Sequence, residues 1–349
     1  MTQAFSPTSP LQVVRSDLWL DPVFDRLLAA EPRIALDVFA VRGDAQAARD
    51  LLARAHVYQI SAAKDELPQA WFARAELLAL CPQLLCVSSG GAGYDTVDVA
   101  ACTAAGIAVV NQAGGNAPSV AEHTLAMMLG LSRRMVECDR RMRREPGFTR
   151  ESLMGHEIGG KTLGLVGIGE VGKRVAALAR AFGMQVLATD PFVAPEEIAR
   201  RGARAVSFEQ LLAESDFVSL HCPRDAGTLK MMDAGAFARM KKGAIFITTA
   251  RGGIHDEAAL VEALRSGHLA GAGLDVWDRE PPPLDHPLLA MDNVSATFHT
   301  AGVTHEARHN VAAMAARQIA GLLAGGRPPR LVNPEVWPAF EERRARLLG

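Results

Sequence analysis

The sequence predicts an α/β protein built from two doubly wound parallel-sheet domains. Three observations carry that prediction. The chain has 349 residues, more than one hydrophobic core usually organises. Short β-rich runs alternate with helix-patterned stretches almost throughout, the signature of parallel sheets with helical crossovers. A long helix-patterned stretch, SVAEHTLAMMLGLSRRMVECDRRMRR (119–144), separates five strand candidates from seven.

In chain order, the first strand candidates are LQVVRS (11–16), IALDVFA (34–40), VYQIS (57–61), LLCVSS (84–89) and IAVVNQ (107–112). Each is a short apolar or β-branched run bounded by turn residues. The 119–144 stretch repeats its apolar residues at helical spacing, and Ser119 with Glu122 forms a possible capping box at its start. The second series is TLGLVG (162–167), MQVLAT (184–189), ARAV (203–206), DFVSLH (216–221), GAIFITT (243–249), AGAGLDV (270–276) and NVSATF (293–298). A second long helix is expected from Thr304 to the glycines at 325–326, and RPPRLVNPEVW after it reads as a strap returning to other structure.

Composition excludes several function classes. Apolar residues make up 49% of the chain, enough for sizeable cores. A formal charge of −2, from 37 basic and 39 acidic residues, leaves no electrostatic footprint for nucleic acid. RRMRRE (Arg140–Glu145) and EERRAR (Glu341–Arg346) read as solvated helix faces. No run of eighteen apolar residues occurs, so no membrane span is expected. The opening MTQAFSPTSPLQVVR lacks the pattern of a secretory signal. Cys81, Cys86, Cys102, Cys138 and Cys222 have neither metal-site nor redox-motif spacing and read as buried free thiols. A cytoplasmic protein is expected.

Two phosphate-binding spellings overlap in GHEIGGKTLGLVGIGEVGKR (Gly155–Arg174). GHEIGGKT fits the triphosphate loop, but that loop needs a strand before it and a helix after it. Here the order is reversed, so GGKT reads as a turn feeding a strand. GIGEVG has its required context: an apolar strand before it, the amphipathic helix EVGKRVAALARAFG after it, then a strand ending in Asp190. Gly167 permits the tight turn, Gly169 lets a pyrophosphate approach the backbone, and Gly172 allows close helix–strand packing. The Asp190 carboxylate suits a ribose hydroxyl and repels a 2′-phosphate, so NAD is expected rather than NADP.

Ligands of doubly wound sheets lie beyond the carboxyl ends of the strands. Three successive strand candidates are followed there by Arg251, Glu280 and His299. An arginine fork can hold a carboxylate and polarise an adjacent carbonyl. An imidazole can take or give the hydroxyl proton. A carboxylate hydrogen-bonded to that imidazole favours its protonated form. The trio therefore suits hydride chemistry on a 2-hydroxy or 2-oxo acid.

Over nearly its full length the chain resembles the D-isomer-specific 2-hydroxyacid dehydrogenase family. The resemblance stands on GAGYDTVD (Gly91–Asp98), NQAGGNAPSVAEHTLAMML (Asn111–Leu129), GLVGIGEVG, HCP with Thr228, TTARGGIHDEAAL (Thr248–Leu260), GLDVWDREP (Gly273–Pro281) and FHTAG (Phe298–Gly302). It implies a Rossmann NAD-binding domain (121–307) inserted in a flavodoxin-like substrate domain (1–120 and 308–349), a cleft between the two, and a homodimer. It implies Arg251, Glu280 and His299 as the catalytic set. It implies cofactor contacts at Gly167, Gly169, Glu170, Val171, Gly172, Asp190, Cys222, Pro223, Thr228, Thr249, Ala250, Arg251, Asp275, His299 and Gly302, with Asp275 meeting the nicotinamide carboxamide. It implies substrate contacts at Ala92, Gly93, Arg251 and His299, with the substrate's side chain shaped by Ile60–Lys64 and Ser88–Gly93. The partner implied is a small 2-hydroxy or 2-oxo acid.

The chain departs from the family pattern at Thr248, where Asn is frequent, at His255, usually apolar, and at Phe298, usually Pro. It also lacks a clearly placed arginine near Ile60–Glu66, which lowers the expectation of a phosphorylated substrate. HEARH (His305–His309) spells the zinc-protease pattern, but no third ligand is evident and no metal is expected. Two alternatives share the same residues: an NAD(H)-sensing corepressor-like binding protein, and a dehydrogenase of another small anion such as phosphite.

Overall fold

The computed structural model describes residues 10–348. The reading of the opening segment as free of a leader lies largely outside them. The described residues divide into two compact units, one lying before Ala117 and from Thr304 onwards, the other spanning Ala117–Val303.

The first unit carries β1 (Leu11–Ser16), β2 (Ile34–Phe39), β3 (Val57–Ile60), β4 (Cys86–Ser89) and β5 (Ala108–Val110). They form one parallel sheet in the order β2-β1-β3-β4-β5. Because strand side chains alternate, neighbouring residues enter opposite cores. Val14, Tyr58, Val87 and Val109 pack in one cluster. Val13, Val57, Cys86 and Ala108 pack in the other, with Ala312, Ala316 and Ile319 of the helix His305–Leu323. That helix is capped by Thr304, whose hydroxyl accepts the Ala307 N–H. The expected strap returns along β5: Val332 N–H donates to Val109 O, and the Asn333 side chain accepts from Val109 N and donates to Ile107 O.

The second unit carries β6 (Thr162–Val166), β7 (Gln185–Thr189), β8 (Arg204–Ala205), β9 (Phe217–Leu220), β10 (Ile245–Thr248), β11 (Gly271–Leu274) and β12 (Val294–Ala296). The sheet is parallel, ordered β12-β11-β10-β9-β6-β7-β8. Chain order therefore reverses between β6 and β9, which is where such sheets open a crevice for ligands. Leu163, Leu165, Ile245 and Ile247 face one core; Val166, Val218, Phe246 and Leu274 face the other. Buried on both faces, these strands read as continuous apolar runs.

The single helix expected over 119–144 is two, Ala117–Ser132 and Met135–Arg144. The break is tertiary in origin. His156 N–H takes the Ser132 carbonyl, and the chain at Gly155 runs so close that a Cβ there would lie 2.3 Å from that same oxygen. Arg134 then turns left-handed at φ 52 and forks onto both carboxylate oxygens of Glu137. The first helix also starts before the expected capping box: Ala117 opens it, and Pro118 sits in the first turn, where a missing N–H costs nothing. The arginine runs are less solvated than their sequence suggests. Arg343 donates to Leu84 and Pro82 carbonyls, and Arg140 donates to Met291 O.

Candidate active site

The glycine loop leaves β6 with the geometry its residues require. Gly167 has φ 90, and a Cβ there would lie 2.9 Å from the His221 and Cys222 backbone. A Cβ at Gly172 would lie 2.3 Å from Gly167 O, so the helix Gly172–Ala181 starts pressed against the loop. Around Gly169, by contrast, no heavy atom of the described residues beyond its chain neighbours lies within 4 Å of a Cβ position. The loop is thus closed where it packs and open where a pyrophosphate would approach a helix N-terminus. Glu170 is held by its own helix, paired with Lys173 at 2.6 Å and Arg174 at 3.0 Å. Val171 occupies the N-cap position.

Asp190 follows directly on β7, and both its oxygens already shape the site. Oδ2 accepts from Ile168 N in the glycine loop at 3.0 Å, and Oδ1 accepts from Phe192 N at 3.0 Å. Beside it a cavity of ≈ 430 Å³ is lined by Thr189–Pro195, Ile198, Ala205 and Val206. An open glycine, a carboxylate just past the strand and an adjoining cavity fit a dinucleotide. On the other side of the switch point, Thr228 accepts from Asp225 N and donates to Pro223 O, folding the loop after β9. Burial pushes the Cys222 thiol up to about 11, so it is an inert wall rather than a nucleophile. Thr249 meets Thr124 at 3.3 Å, and Ala250 is buried beside it.

The three residues expected to carry chemistry follow three adjacent strands, β10, β11 and β12. Arg251 follows β10, with Nη1 donating to Ala250 O. His299 Nδ1 lies 3.1 Å from Glu280 Oε2, and the other carboxylate oxygen accepts Trp277 N–H at 3.1 Å. The Glu280 side chain is 6% exposed while that of His299 is 41% exposed. The acid is therefore buried behind a partly exposed imidazole.

Residues the sequence reading did not single out hold this edge together. Gly252 is packed so tightly that a Cβ would fall 1.8 Å from Trp277 O. Asp278 binds Gly253 N at 2.7 Å and Lys230 Nζ at 2.8 Å, joining the loops after β10 and β11. Trp277, 1% exposed, donates from its indole to Thr297 O. Asp275, assigned by resemblance to the cofactor, is itself 1% exposed and collects donors from Thr297, Thr300 and Ala301, the turn that leads on to Gly302. Nothing in the sequence around Asp275 signals this role; only the fold brings these donors to it.

Ala92 and Gly93 belong to the first unit. There Asn111 Nδ2 donates to Ala92 O and Ser89 Oγ to Gly93 O, fixing the peptide orientations of that loop. The decoys have ordinary structural places. Gly160, at φ 75, turns the chain into β6, and His309 Nδ1 lies 3.4 Å from Asp21 Oδ1. His255, the second departure from the family pattern, is fully buried against Phe246, and neither ring nitrogen has a hydrogen-bond partner among the described residues.

The model of the family described as D-isomer specific 2-hydroxyacid dehydrogenase, NAD binding domain, matches residues 125–301. The chain is 42% identical over 266 residues to a D-3-phosphoglycerate dehydrogenase of Archaeoglobus fulgidus, covering 76% of this chain and 50% of that one. The chain thus spans about half the length of that relative. It is 39% identical over 265 residues to a glyoxylate reductase of Korarchaeum cryptofilum, covering 75% of this chain and 80% of that one. Among solved structures it is similar to a glyoxylate reductase from Paecilomyes thermophila, with a TM-score of 0.82, 28% identity, and coverage of 94% and 99%.

Proposed function

We propose a reaction from the premise that the chain belongs to the D-isomer specific 2-hydroxyacid dehydrogenase family: NAD-linked interconversion of a small D-2-hydroxy acid and its 2-oxo acid. The observation that carries the reading is the buried Glu280 paired with the partly exposed His299, in the loops after β11 and β12, on the sheet edge where Arg251 follows β10.

Bound NAD(H) supplies or accepts the hydride. The protein's own groups handle the substrate and the proton. Arg251 receives the substrate carboxylate through its planar fork and polarises the neighbouring carbonyl. Glu280 holds a proton on His299 Nδ1, which leaves Nε2 as the atom that exchanges a proton with the substrate oxygen. In reduction, the protonated imidazole delivers its Nε2 proton to the carbonyl oxygen as the carbon receives hydride. In oxidation, neutral Nε2 removes the hydroxyl proton. Asp190 selects NAD by accepting ribose hydroxyls and repelling a 2′-phosphate.

The test is NADH oxidation by the purified protein with glyoxylate, hydroxypyruvate, pyruvate and bulkier 2-oxo acids. Turnover with at least one is expected, and none with any of them counts against the reading. His299→Ala should lower kcat by roughly 100-fold or more while leaving NADH affinity, read by fluorescence titration, within about threefold.

A further inference from the structure

The turn bearing His299 is conformationally unusual. His299 has φ 47, in the left-handed region that non-glycine residues enter uncommonly. Such a residue persists only where its surroundings over-determine it. Here nearly every restraint converges on Asp275. His299 N–H donates to Asp275 O at 2.6 Å; Thr300 N–H donates to Oδ1 at 2.8 Å and Ala301 N–H to Oδ2 at 3.0 Å. Asp275 N–H in turn donates to Thr248 O, tying the assembly to the end of β10.

A carboxylate that is 1% exposed needs its lone pairs filled. The shortest bond to it comes from a side chain: Thr297 Oγ1 lies 2.6 Å from Oδ1. A hydroxyl has one proton, and a carboxylate can only accept, so Thr297 donates there. Its other neighbour is His123 Nε2, 3.1 Å away on the helix Ala117–Ser132. Thr297 must accept from that nitrogen, which fixes the proton of His123 on Nε2. Charged or neutral, His123 then donates, so the chain of bonds runs one way: His123 to Thr297 to Asp275.

We propose that Thr297 and His123 are positioning residues: through Asp275 they aim the carboxylate that clamps the strained turn, and so set the direction in which His299 points. This rests on the proposed role of His299, but its structural content does not depend on turnover. Thr297→Val keeps the side chain's shape and removes the donor; Thr297→Ser keeps the donor. His123→Phe removes the N–H and keeps the bulk; His123→Gln restores a donor.

Amide hydrogen exchange of the protein without substrate or cofactor is the first readout. Thr297→Val should accelerate exchange at Thr300 and Ala301 by roughly tenfold or more, with core amides such as Ile247 and Leu187 unchanged, and Thr297→Ser should behave as wild type. His123→Phe should act in the same direction more weakly, and His123→Gln should reverse it. The second readout is NADH-linked reduction, where Thr297→Val should lower kcat by about tenfold with NADH affinity unmoved. Unchanged exchange at Thr300 and Ala301 overturns the proposal. So does acceleration spread equally over the core, or a loss of NADH affinity matching the loss of turnover. If the wild type shows no turnover, the proposed function fails while the exchange pattern still decides this inference.

Discussion

Replacing Gly252 with alanine tests whether close loop contact aligns the site. A Cβ at this position would lie 1.8 Å from Trp277 O, 2.3 Å from Trp277 C and 2.9 Å from Asp278 N, all backbone atoms that no rotamer change can remove. Real Cβ contacts essentially never fall below 3.0 Å, so the loops after β10 and β11 must part by about 1.2 Å. One of those loops carries Arg251 and the other Glu280, so the substrate fork and the acid behind His299 separate together. A misplacement of about 1 Å costs on the order of 100-fold in rate, and overpacking costs roughly 1–3 kcal/mol of stability. Steady-state reduction of the best 2-oxo acid should therefore show kcat/KM reduced by about 100-fold. Urea unfolding should show a smaller effect, with the protein still folded at 25 °C. A Gly252→Ala protein that turns over within about threefold of wild type would refute the argument that this contact holds the two loops in register.

Three further outcomes follow from the same geometry. Glu280→Gln keeps the shape and removes the charge behind His299 Nδ1; turnover should fall roughly 30- to 100-fold with NADH affinity retained, and a KM-only effect would show that the carboxylate binds substrate instead. Asp190→Ser should raise KM for NADH by about tenfold and narrow the preference over NADPH; paired cofactor titrations with an unchanged ratio would remove Asp190 from cofactor choice. His255 provides a pH test, since burial pushes its imidazole down to about 4. The unfolded chain binds that proton below about 6.5 and the folded chain does not until about 4, so wild-type stability falls as pH drops through this window. His255→Leu should lack that loss, and its advantage over wild type should widen by about 2 kcal/mol between pH 7.5 and pH 5. Equal urea midpoint differences at the two pH values would mean that the buried ring is not held neutral.

What the chain's own order determined is everything written in local periodicity or in a fixed spacing. Both parallel sheets were legible because each strand is a short apolar run between turn residues. The dinucleotide loop was legible because strand, glycines, helix and Asp190 follow one another without interruption. The succession Arg251, Glu280, His299 was legible because residues that follow adjacent parallel strands must emerge on one edge. Tertiary structure decided what depends on residues distant in the chain. The helix ends at Ser132 because His156 takes its carbonyl, whereas the helical pattern itself continues to Arg144. Asp275 anchors the His299 turn because residues 22 to 26 positions later donate to it. Gly252 is needed because Trp277 O passes where its side chain would be. Periodicity reports which face of an element is apolar, because that depends on near neighbours; it carries no record of which distant backbone will press against it. The His299 turn is therefore held by contacts that exist only once β11, β12 and the helix Ala117–Ser132 have packed together.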